Sequence, residues 1–500
     1  MHMLQQPRQQ AILAAGLPVD QLASALRLRL APEGWPLPLG ALPASTVLVG
    51  GAVRDALLGR LAPRPDLDLV VPGDAVALAR ELARQLGGAV VVLDGERSIA
   101  RLVLQGWTID LARRMGANLQ QDLLRRDYTA NAIALQLTAT GEGREHPEGA
   151  LLDSNSGGAL LDRSGGLLEP SGDLLDPSGG LEDLAAGRLR AISEANLLED
   201  PLRLLRGVRL AWELDFVLEP TSLGWICQHG ARLGQVAGER VLAELERLAV
   251  APRGGLGLAQ VVDTGLLASW GGELSLAGAP AIGVEPAKQG PLARQEAPAG
   301  KGAPASGAEP AMQPVILHHN LAKLQLEAAA ERGLSEAETA WALPLARLAS
   351  LLDGQSLARL KSSRRLQLSC QRLRHWWRRL GAVGGDPDGL PEEERLSLQR
   401  QLEGELPALA LLLEAEWAPT ALARWRDPAD PLFHPRAPID GATLQAQLAL
   451  KPGPRLGQLL EHLTRERAFG RLPAQPGENA AETLIEARHW LSQGGVARHG

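Results

Sequence analysis

A pair of aspartates begins an apolar run soon after a pair of glycines, and this order limits the folds open to the chain. The run PDLDLVV contains Asp66 and Asp68, and the run VGGAVRD before it contains Gly50 and Gly51. Side chains of a β-strand alternate between its two faces, so two residues separated by one share a face. A glycine turn lets the backbone approach a phosphate group closely. This order predicts a phosphate-binding turn next to a strand that carries two carboxylates.

Two carboxylates on one face of a strand can hold a pair of divalent cations. Two such ions about 3.5–4 Å apart activate an attacking hydroxyl and bind the phosphates of a nucleotide. A third carboxylate should come from a neighbouring strand, and Asp110 in the run WTIDLA is well positioned for this. The competing interpretation of Asp110 is a cap at the end of its strand. Together, Asp66, Asp68 and Asp110 predict a catalytic site for nucleotidyl transfer that uses two Mg²⁺ ions.

Length, charge and cysteine content exclude several other classes of protein. The 500 residues are too many for one core, so several domains are expected. The net charge of −7 limits any contact with nucleic acid to a local basic surface. The two cysteines, Cys227 and Cys370, cannot build a disulfide framework. The chain has no long apolar run and begins without the apolar segment of a signal peptide, which predicts a cytoplasmic protein outside the membrane.

Periodicity and composition divide the chain into five parts. Residues 1–140 hold an N-terminal segment and, from about residue 45, alternating strand-like and helical runs that predict a catalytic head. Residues 141–179 repeat a Leu-Leu-Asp unit and are interpreted as a low-complexity insertion. Residues 180–270 are predicted to form a helical neck, and residues 271–313, rich in Ala, Pro and Gly, a flexible linker. Residues 314–500 are predicted to be a helical body and tail.

Within the head, short apolar runs alternate with longer runs of helical period. The apolar runs predict strands at residues 47–49, 67–71, 89–93, 102–104 and 108–111. The period of the runs between them predicts helices at residues 53–58, 75–86 and 127–134. This alternation is typical of a small domain in which helices pack on a sheet.

Two further runs of the head offer contacts for phosphate and ribose. Arg54 lies one turn into the helix predicted after the glycine pair, where its guanidinium can reach phosphate oxygens. In the run RRDYTANAIA, Asp127 would cap the start of the predicted helix, and Arg126 would contact phosphate or ribose there. The alternative is a helix start with a purely structural role.

The run EDPLRLLRGVR is the candidate for recognising the base. It carries Asp200, Arg203, Arg206 and Arg209 at steps of three residues, which predicts that they share one face of a helix. Asp200 can accept a hydrogen bond from an exocyclic amine while Arg203 donates to ring acceptors. Cytosine and adenine share that pattern, whereas guanine and uracil do not. The alternative interpretation is a solvent-exposed stripe of salt bridges.

In this order, the motifs resemble the class II tRNA nucleotidyltransferase and bacterial poly(A) polymerase family. The resemblance covers about residues 45–250 and is carried by the runs GGAVRDALLG, DLDLVV, RRDYTANAIAL, GGLEDLAAGRLRAI, EDPLRLLRGVRLAWEL and GERVLAEL. It implies an α+β protein with a polymerase-β-like nucleotidyltransferase head. It further implies a helical neck that selects the nucleotide without a nucleic-acid template, followed by a helical body and tail that bind tRNA.

The resemblance also implies a role for each candidate residue. The magnesium ligands would be Asp66 and Asp68. Three further groups of residues would contact the triphosphate, the ribose and the base of the nucleotide. These groups are Gly51 and Arg54 for the triphosphate, Arg126 and Asp127 for the ribose, and Asp200 and Arg203 for the base, supported by Arg206 and Arg209.

The resemblance narrows the reaction to the 3′ end of tRNA. The runs IDG at 439–441 and LKPGPRLGQLL at 450–460 are similar to a tail motif of bacterial CCA-adding enzymes, which favours tRNA maturation over polyadenylation. Many members of the family carry a flexible loop between the third carboxylate and the RRD motif, but here only residues 111–124 separate Asp110 from Arg125. In this family a missing loop is associated with enzymes that add CC from CTP and leave the terminal A to a partner enzyme. Three alternatives remain open: full CCA addition from CTP and ATP, poly(A) synthesis, and an RNA-binding relative with an inactive head.

A basic stretch in the C-terminal part is a candidate contact for tRNA. No acid occurs between Asp353 and Asp386, and Trp376 and Trp377 lie among the basic residues. This composition suits contact with the phosphate backbone of a tRNA elbow. The competing interpretation is a charged helix face with tryptophans in the core. The candidate RNA-binding residues are Arg364, Arg365, Arg372, Arg374, Arg378 and Arg379.

Overall fold

A computed structural model describes most of the chain as two compact units. The described residues are 11–13, 18–137, 174–270, 321–382, 385–413, 415–473 and 480–494. The two units are Met1–His229 and Gly230–Gly500. The linker predicted at residues 271–313 and the first repeats of the predicted insertion lie outside the described residues. None of the helices among the described residues is long and apolar enough to cross a membrane.

The first unit is built on a mixed sheet. Its strands are β1 (Val47–Val49), β2 (Leu67–Val71), β3 (Ala89–Asp94), β4 (Ile99–Leu104), β5 (Trp107–Arg113), β6 (Ala134–Gln136) and β7 (Leu174–Leu175). They lie in the order β3-β4-β5-β2-β1-β6-β7, in which β2 and β5 run parallel and the other neighbours run antiparallel. A further parallel pair joins β8 (Arg188–Leu189) to β9 (Val217–Leu218). The predicted α+β class is confirmed.

Helices cover and extend this sheet. Those of the first unit are α1 (Val19–Leu30), α2 (Gly51–Leu57), α3 (Ala75–Leu86), α4 (Leu119–Leu124), α5 (Gly180–Ala185), α6 (Glu194–Glu199), α7 (Leu202–Leu214) and α8 (Pro220–His229). Residues at the two ends of α3 determine where this helix begins and ends. The Asp74 side chain accepts hydrogen bonds from the backbone N–H groups of Val76 and Ala77, and Gly87 ends the helix in the left-handed conformation. As a result, α3 has the predicted bounds.

The helix predicted over residues 127–134 is wrong. The structure has a single 3₁₀ turn at Thr129–Asn131, after which the chain enters β6. In β6, Ala134 and Leu135 pair with Val49 and Leu48 of β1. Because this pairing lies on the open side of β1, tertiary structure overrides the local helical pattern.

The third copy of the Leu-Leu-Asp unit is part of the folded head. Leu174 and Leu175 form β7 on the edge of the sheet, paired with β6. Asp176 then accepts hydrogen bonds from the backbone N–H groups of Gly180 at 2.7 Å and Leu181 at 2.8 Å. These bonds hold the first turn of α5, so this copy joins the sheet to the helical region that follows.

The second unit is helical throughout its described parts. Its helices are α9 (Gly238–Val250), α10 (Gly254–Asp263), α11 (Leu326–Glu331), α12 (Glu336–Leu351), α13 (Gly354–Arg359), α14 (Arg364–Gly381), α15 (Glu392–Leu402), α16 (Leu406–Leu412), α17 (Ala418–Arg426), α18 (Gly441–Leu448), α19 (Pro454–Ala468) and α20 (Ala480–Ser492). The run resembling a tail motif forms the start of α18, capped by Asp440, and the start of α19. Leucines of both helices pack with Trp490 of α20.

A buried arginine ties several helix ends of the second unit together. Arg347 in α12 is only 1% exposed. Its guanidinium donates to the carbonyl oxygens of Ala249 and Ala251 at 2.7 and 2.8 Å, of Leu324 at 2.8 Å and of Pro252 at 3.2 Å. Burial lowers the pKa of Arg347 to about 10. Backbone carbonyl groups around the end of α9, which lack a hydrogen-bond partner within the helix, thus accept hydrogen bonds from the Arg347 side chain.

The start of α12 allows a test of stability against pH. Glu338 completes a capping box with Ser335 and pairs with Arg426 of α17. The hydrogen bond from Arg426, with those from Ser335, lowers the pKa of Glu338 from 4.5 to about 2. A lowered pKa means that the stabilisation is present above the unfolded-state value and disappears as the pH falls towards 2. We expect Glu338→Gln to cost the second unit about 1–2 kcal/mol at pH 7.

That cost should shrink as the pH falls from 4.5 towards 2, because Glu338 of the parent protein is then protonated as well. Thermal unfolding of both proteins followed at several pH values measures this convergence. The matched control is Glu81→Gln, which removes an exposed partner of Arg84 on α3 and should leave the second unit unchanged. A pH-independent difference between Glu338→Gln and the parent protein would contradict the expectation.

Candidate nucleotidyl-transfer site

The sheet brings two of the predicted carboxylates side by side. Asp68 of β2 is the direct neighbour of Asp110 in β5 and of Val49 in β1. Side chains of directly paired residues lie on the same face of a sheet. Asp66 immediately precedes β2 and is exposed. The register therefore aligns the carboxylates as the sequence predicts.

The glycine turn packs directly against the second carboxylate. Gly50 links β1 to α2 with a φ of +75°, a conformation that side chains disfavour. A Cβ atom at this position would lie 2.7 Å from Oδ2 of Asp68. Both the backbone conformation and the lack of space therefore require glycine. The backbone at the start of α2 consequently lies against the carboxylate face, as the predicted phosphate contact of Gly50 and Gly51 needs.

Electrostatics at Asp68 fit a cation site. Burial raises the pKa of Asp68 to about 6, and the negative charges of Asp110 and Asp66 add to that rise, while Arg126 and Arg206 oppose it. Carboxylate oxygens are the ligands that Mg²⁺ prefers. A divalent cation would offset the repulsion among these acids, so the residue types fit the predicted metal.

Asp110 has a partner that the sequence does not predict. Arg101 of β4 donates from Nε to Oδ1 and from Nη2 to Oδ2 of Asp110, each at 2.8 Å. This hydrogen bonding raises the pKa of Arg101. In this arrangement no group of three His, Cys, Asp or Glu side chains within the described ranges is disposed to hold a metal ion. Asp68 and Asp110 share one face of the sheet, but an arginine engages the carboxylate of Asp110.

A chain of polar contacts links the predicted triphosphate contact to the neck. Arg54 donates to Oδ1 of Asn131 at 2.7 Å, and Nδ2 of Asn131 lies 3.4 Å from Oδ1 of Asp127. The other oxygen of Asp127 lies 3.2 Å from Nη2 of Arg206 in α7. Burial by itself would raise the pKa of Asp127, but Arg206, the N–H of Tyr128 and Arg203 together lower it. The buried Asp127 is thus held as a carboxylate between head and neck.

Arg126 lies on the same side of the site. Its Nη2 atom is 3.4 Å from Oδ2 of Asp122, a buried residue of α4. Asp122 also accepts from the backbone N–H of Met115 at 2.7 Å. Since Arg126 also acts on the charge of Asp68, it lies within electrostatic range of the carboxylate face. Arg126 therefore acts electrostatically on Asp68, although no α-helix starts at the pair that it forms with Asp127.

The neck holds Arg203 in a fixed position. Its Nη1 atom donates to the carbonyl oxygens of Asn196 at 2.7 Å and Arg125 at 3.2 Å. Tyr128 donates from its hydroxyl to the carbonyl oxygen of Arg203 at 2.9 Å. Asn196 in turn donates to the carbonyl oxygens of Leu124 and Arg126, both at 2.7 Å. These bonds join the neck to the RRD motif of the head.

The predicted stripe of four residues on one helix is only partly present. Asp200 lies before α7, in an extended conformation after α6, and accepts from the N–H of Leu202 at 3.2 Å. Arg203 and Arg206 face the head as described. Arg209 is buried and donates to Glu213 one turn further along α7. The structure therefore does not bring Arg209 to the other candidates.

Several residues that shape the site are absent from the predicted set. Asn131 and Tyr128 belong to the RRDYTANA motif, so their position in that motif could have indicated a role. Asp183 is fully buried, accepts from Thr129 at 2.7 Å and binds Arg188 and Arg190, which fixes the turn after Asp127. No sequence signal indicates Arg101, because its partner depends on strand register.

The basic stretch of the tail is divided by the structure. Arg364, Arg365 and Arg372 are exposed on α14, as is Arg378. Arg379 instead pairs with Glu394 of α15 at 2.7 Å. Arg374 is buried and donates to the carbonyl oxygens of Ala349 and Ser350 at the end of α12. Arg374 therefore satisfies backbone groups and is not available at the surface for RNA, which corrects that part of the prediction.

Comparison with known proteins agrees with this geometry. Residues 46–164 match the model of the poly A polymerase head domain, and residues 215–271 match that of the probable RNA and SrmB-binding site of polymerase A. The chain is 30% identical over 467 residues to the CC-adding tRNA nucleotidyltransferase of Synechocystis sp., covering 91% of this chain and 95% of that one. It is 32% identical over 455 residues to the CC-adding enzyme of Thermus thermophilus, covering 85% and 90%. The A-adding enzyme of Deinococcus radiodurans is 36% identical over 46% of this chain, and the CCA-adding enzyme of Streptococcus pyogenes is 30% identical over 43%.

A solved CCA-adding enzyme in complex with CTP has the same fold, with a TM-score of 0.60 at 18% identity over 95% of this chain and 99% of that chain. The glycine turn against a carboxylate face, on a head of this topology, defines a nucleotidyltransferase. With a relative of 30% identity matched over nearly its whole length, the chain belongs to the tRNA nucleotidyltransferase and poly(A) polymerase family. The predicted family is therefore confirmed.

Proposed function

We propose that this enzyme transfers CMP from CTP to the 3′ end of tRNA and builds the CC part of the CCA terminus. A separate enzyme would then add the terminal A. The observation that carries this proposal is the short connection between β5 and α4, which contains only residues 114–118. In the resembled family, this part of the chain holds the flexible loop that helps the pocket change from CTP to ATP.

The connection has little freedom to act as such a loop. The backbone N–H of Met115 donates to Asp122 at 2.7 Å, and that of Ala117 donates to Gln121 at 2.9 Å. Asn118 accepts from the N–H of Gln121 at 2.9 Å and caps α4. Three bonds over five residues hold the connection against the start of α4, which supports a pocket with a single nucleotide preference. The relatives from Synechocystis sp. and Thermus thermophilus, which match over 95% and 90% of their length, are CC-adding enzymes, and this supports the same conclusion.

The anchored Arg203 supports recognition of cytosine over uracil. A guanidinium has five N–H donors, and the two carbonyl contacts of Arg203 use only its Nη1 atom. Nε and Nη2 are thus donors in a fixed orientation for ring acceptors of a pyrimidine. Asp200 would accept from the exocyclic amine, which uracil lacks. The triphosphate would lie at Gly51 and Arg54, and the ribose at Arg126 and Asp127.

For the transfer itself, Asp66, Asp68 and Asp110 would hold Mg²⁺. When bound, the ions lower the pKa of the tRNA 3′ hydroxyl and neutralise the leaving pyrophosphate. Arg54 adds positive charge for the departing phosphates, and its bond to Asn131 fixes its direction. The hydroxyl oxygen forms a bond to the α-phosphorus while the bond to pyrophosphate breaks.

The test is extension of tRNA transcripts that end before the CCA, after one C or after both. Each transcript receives CTP, ATP or both, and product length is measured at single-nucleotide resolution. CC addition predicts two, one and no added CMP residues on these three transcripts, respectively, and no AMP on any of them. A completed CCA end would replace this function with full CCA addition, and AMP tails on unrelated RNA would indicate a poly(A) polymerase.

Base selection can be tested at Arg203. We expect Arg203→Ala to reduce the preference for CTP over UTP by about tenfold or more, because a bidentate base contact is worth about 1–3 kcal/mol of discrimination. The measurement is kcat/KM for each nucleotide on the transcript that lacks CCA. Arg125→Ala is the matched control, since Arg125 is exposed and pairs with Glu199. An unchanged CTP preference in Arg203→Ala would remove the base-reading role.

A further inference from the structure

Arg101 stands in the same row of the sheet as the carboxylates. Across the strands, Asp68 pairs with Asp110, Asp110 with Arg101, and Arg101 with Val91 of β3. Directly paired side chains share a face, so the guanidinium lies on the face that carries the candidate metal ligands. The Val91 end of this row is exposed to solvent. Arg101 therefore separates the carboxylates from an open part of the same face.

The contact between Arg101 and Asp110 is of a kind that adds little to stability. The side chains are 44% and 24% exposed, and exposed ion pairs change an equilibrium constant by about fivefold at most. The contact nevertheless occupies Asp110, because the planar guanidinium donates to both oxygens of its carboxylate. Those oxygens are the atoms that a divalent cation would need from this residue. Arg101 thus occupies the two oxygens that a metal ion would use.

We propose that Arg101 is a positioning residue that occupies Asp110 in the metal-free enzyme and yields this carboxylate to the divalent cation. The inference rests on the proposed role of Asp110 as a metal-holding acid. Without a cation, Arg101 offsets the negative charge that Asp66 and Asp68 share with Asp110. With the cation bound, the guanidinium turns towards the solvent-exposed part of the face beside Val91. Cation binding and release of Arg101 are therefore coupled.

The experiment measures metal affinity without turnover. Metal-free, full-length protein is titrated with Mn²⁺ in the absence of nucleotide, and free Mn²⁺ is followed by electron paramagnetic resonance. Arg101→Met is expected to lower the dissociation constant by about three- to fivefold, because the ion pair no longer competes. Arg101→Lys should also lower it, by about twofold, since an ammonium keeps the charge but cannot engage both oxygens in a planar fork.

Two controls separate competition at Asp110 from a general loss of positive charge. In an Asp110→Asn background, Arg101→Met should change the dissociation constant by less than about twofold, because the contested carboxylate is absent. Arg84→Met removes a comparable arginine, which pairs with Glu81 on α3, and should change nothing. Thermal unfolding of each variant verifies that it is folded.

The outcomes distinguish this inference from the proposed function. If Asp110→Asn does not weaken Mn²⁺ binding, the metal-holding role of Asp110 is wrong. If Asp110→Asn weakens binding but Arg101→Met leaves it unchanged, only the competition is wrong. Equal tightening by Arg101→Met with and without Asp110 would also overturn the competition, since it would mark a long-range effect of charge. Which nucleotides are added to tRNA does not enter any of these results.

Discussion

Replacing Asp68 with Asn is expected to abolish nucleotide incorporation while making the metal-free first unit more stable. Asp68 is the acid against which Gly50 packs, and it is the neighbour of Asp110 in the sheet. If Asp68 holds the proposed metal ions, its loss removes several kcal/mol of transition-state stabilisation, so the rate should fall by about 10³-fold or more. Binding of tRNA should persist, because the change leaves the fold intact.

The gain in stability follows from the direction of the pKa shift. The pKa of Asp68 rises from 3.8 to about 6, chiefly through burial. Between these values the folded protein binds the proton more tightly than the unfolded chain, so stability falls as the pH rises. Above about pH 6 the buried charge of Asp68 lowers the free energy of unfolding by its full amount, which is at most about 3 kcal/mol. Asn carries no charge, so Asp68→Asn avoids this penalty.

Thermal unfolding in EDTA at pH 8 and pH 4 measures the effect. Asp68→Asn should unfold at a higher temperature than the parent protein at pH 8, and the difference should nearly vanish at pH 4. Asp66→Asn is the matched control, because Asp66 is exposed and its charge is already solvated. It should lose activity but gain much less stability than Asp68→Asn, because the charge of Asp66 is only a minor cause of the raised pKa of Asp68. Retained turnover in Asp68→Asn would refute the metal role, and an unchanged unfolding temperature at pH 8 would refute the electrostatic account.

The sequence predicts those parts of the head that local pattern determines. The bounds of β1, β2 and α3 follow from apolar runs, an aspartate N-cap and a terminal glycine, all of which act within a few residues. The sequence could predict that Asp68 and Asp110 lie on neighbouring strands, since both belong to strands of one small domain. The helix predicted at residues 127–134 failed because pairing with β1 is a long-range interaction that a local period does not contain.

Charged residues were harder to assign than apolar ones. Arg203, Arg209 and Arg374 all lie in helices with basic residues at regular spacing, but only the first faces the site. Arg209 pairs along its own helix, and Arg374 satisfies carbonyl groups at the end of α12. Both environments depend on which other element packs against the helix. The spacing of basic residues along the sequence does not contain that information. The pairing of Arg101 with Asp110 was unpredictable for the same reason, since it requires the register of β4 against β5.

Gly207→Ala is expected to destabilise the first unit strongly. A Cβ atom on Gly207 in α7 would lie 1.9 Å from the hydroxyl oxygen of Tyr128 and 2.5 Å from its Cζ. Tyr128 is fully buried and donates to the carbonyl oxygen of Arg203, so neither it nor α7 can move freely. Overpacking of this kind costs about 3 kcal/mol. Because relief requires α7 to shift, the position of Arg203 and the affinity for CTP should suffer as well.

The matched control for this change is Gly224→Ala in α8, where an added Cβ meets nothing within 4 Å. Alanine favours a helix over glycine by about 1 kcal/mol, so Gly224→Ala should leave stability unchanged or increase it. Adding Tyr128→Phe to Gly207→Ala removes the nearest clashing atom but leaves the ring carbon, so rescue should be partial. Unfolding temperatures and CTP dissociation constants of the four proteins measure these effects. If Gly207→Ala behaved like Gly224→Ala, the close contact between α7 and Tyr128 would not be what holds Arg203 in the proposed nucleotide pocket.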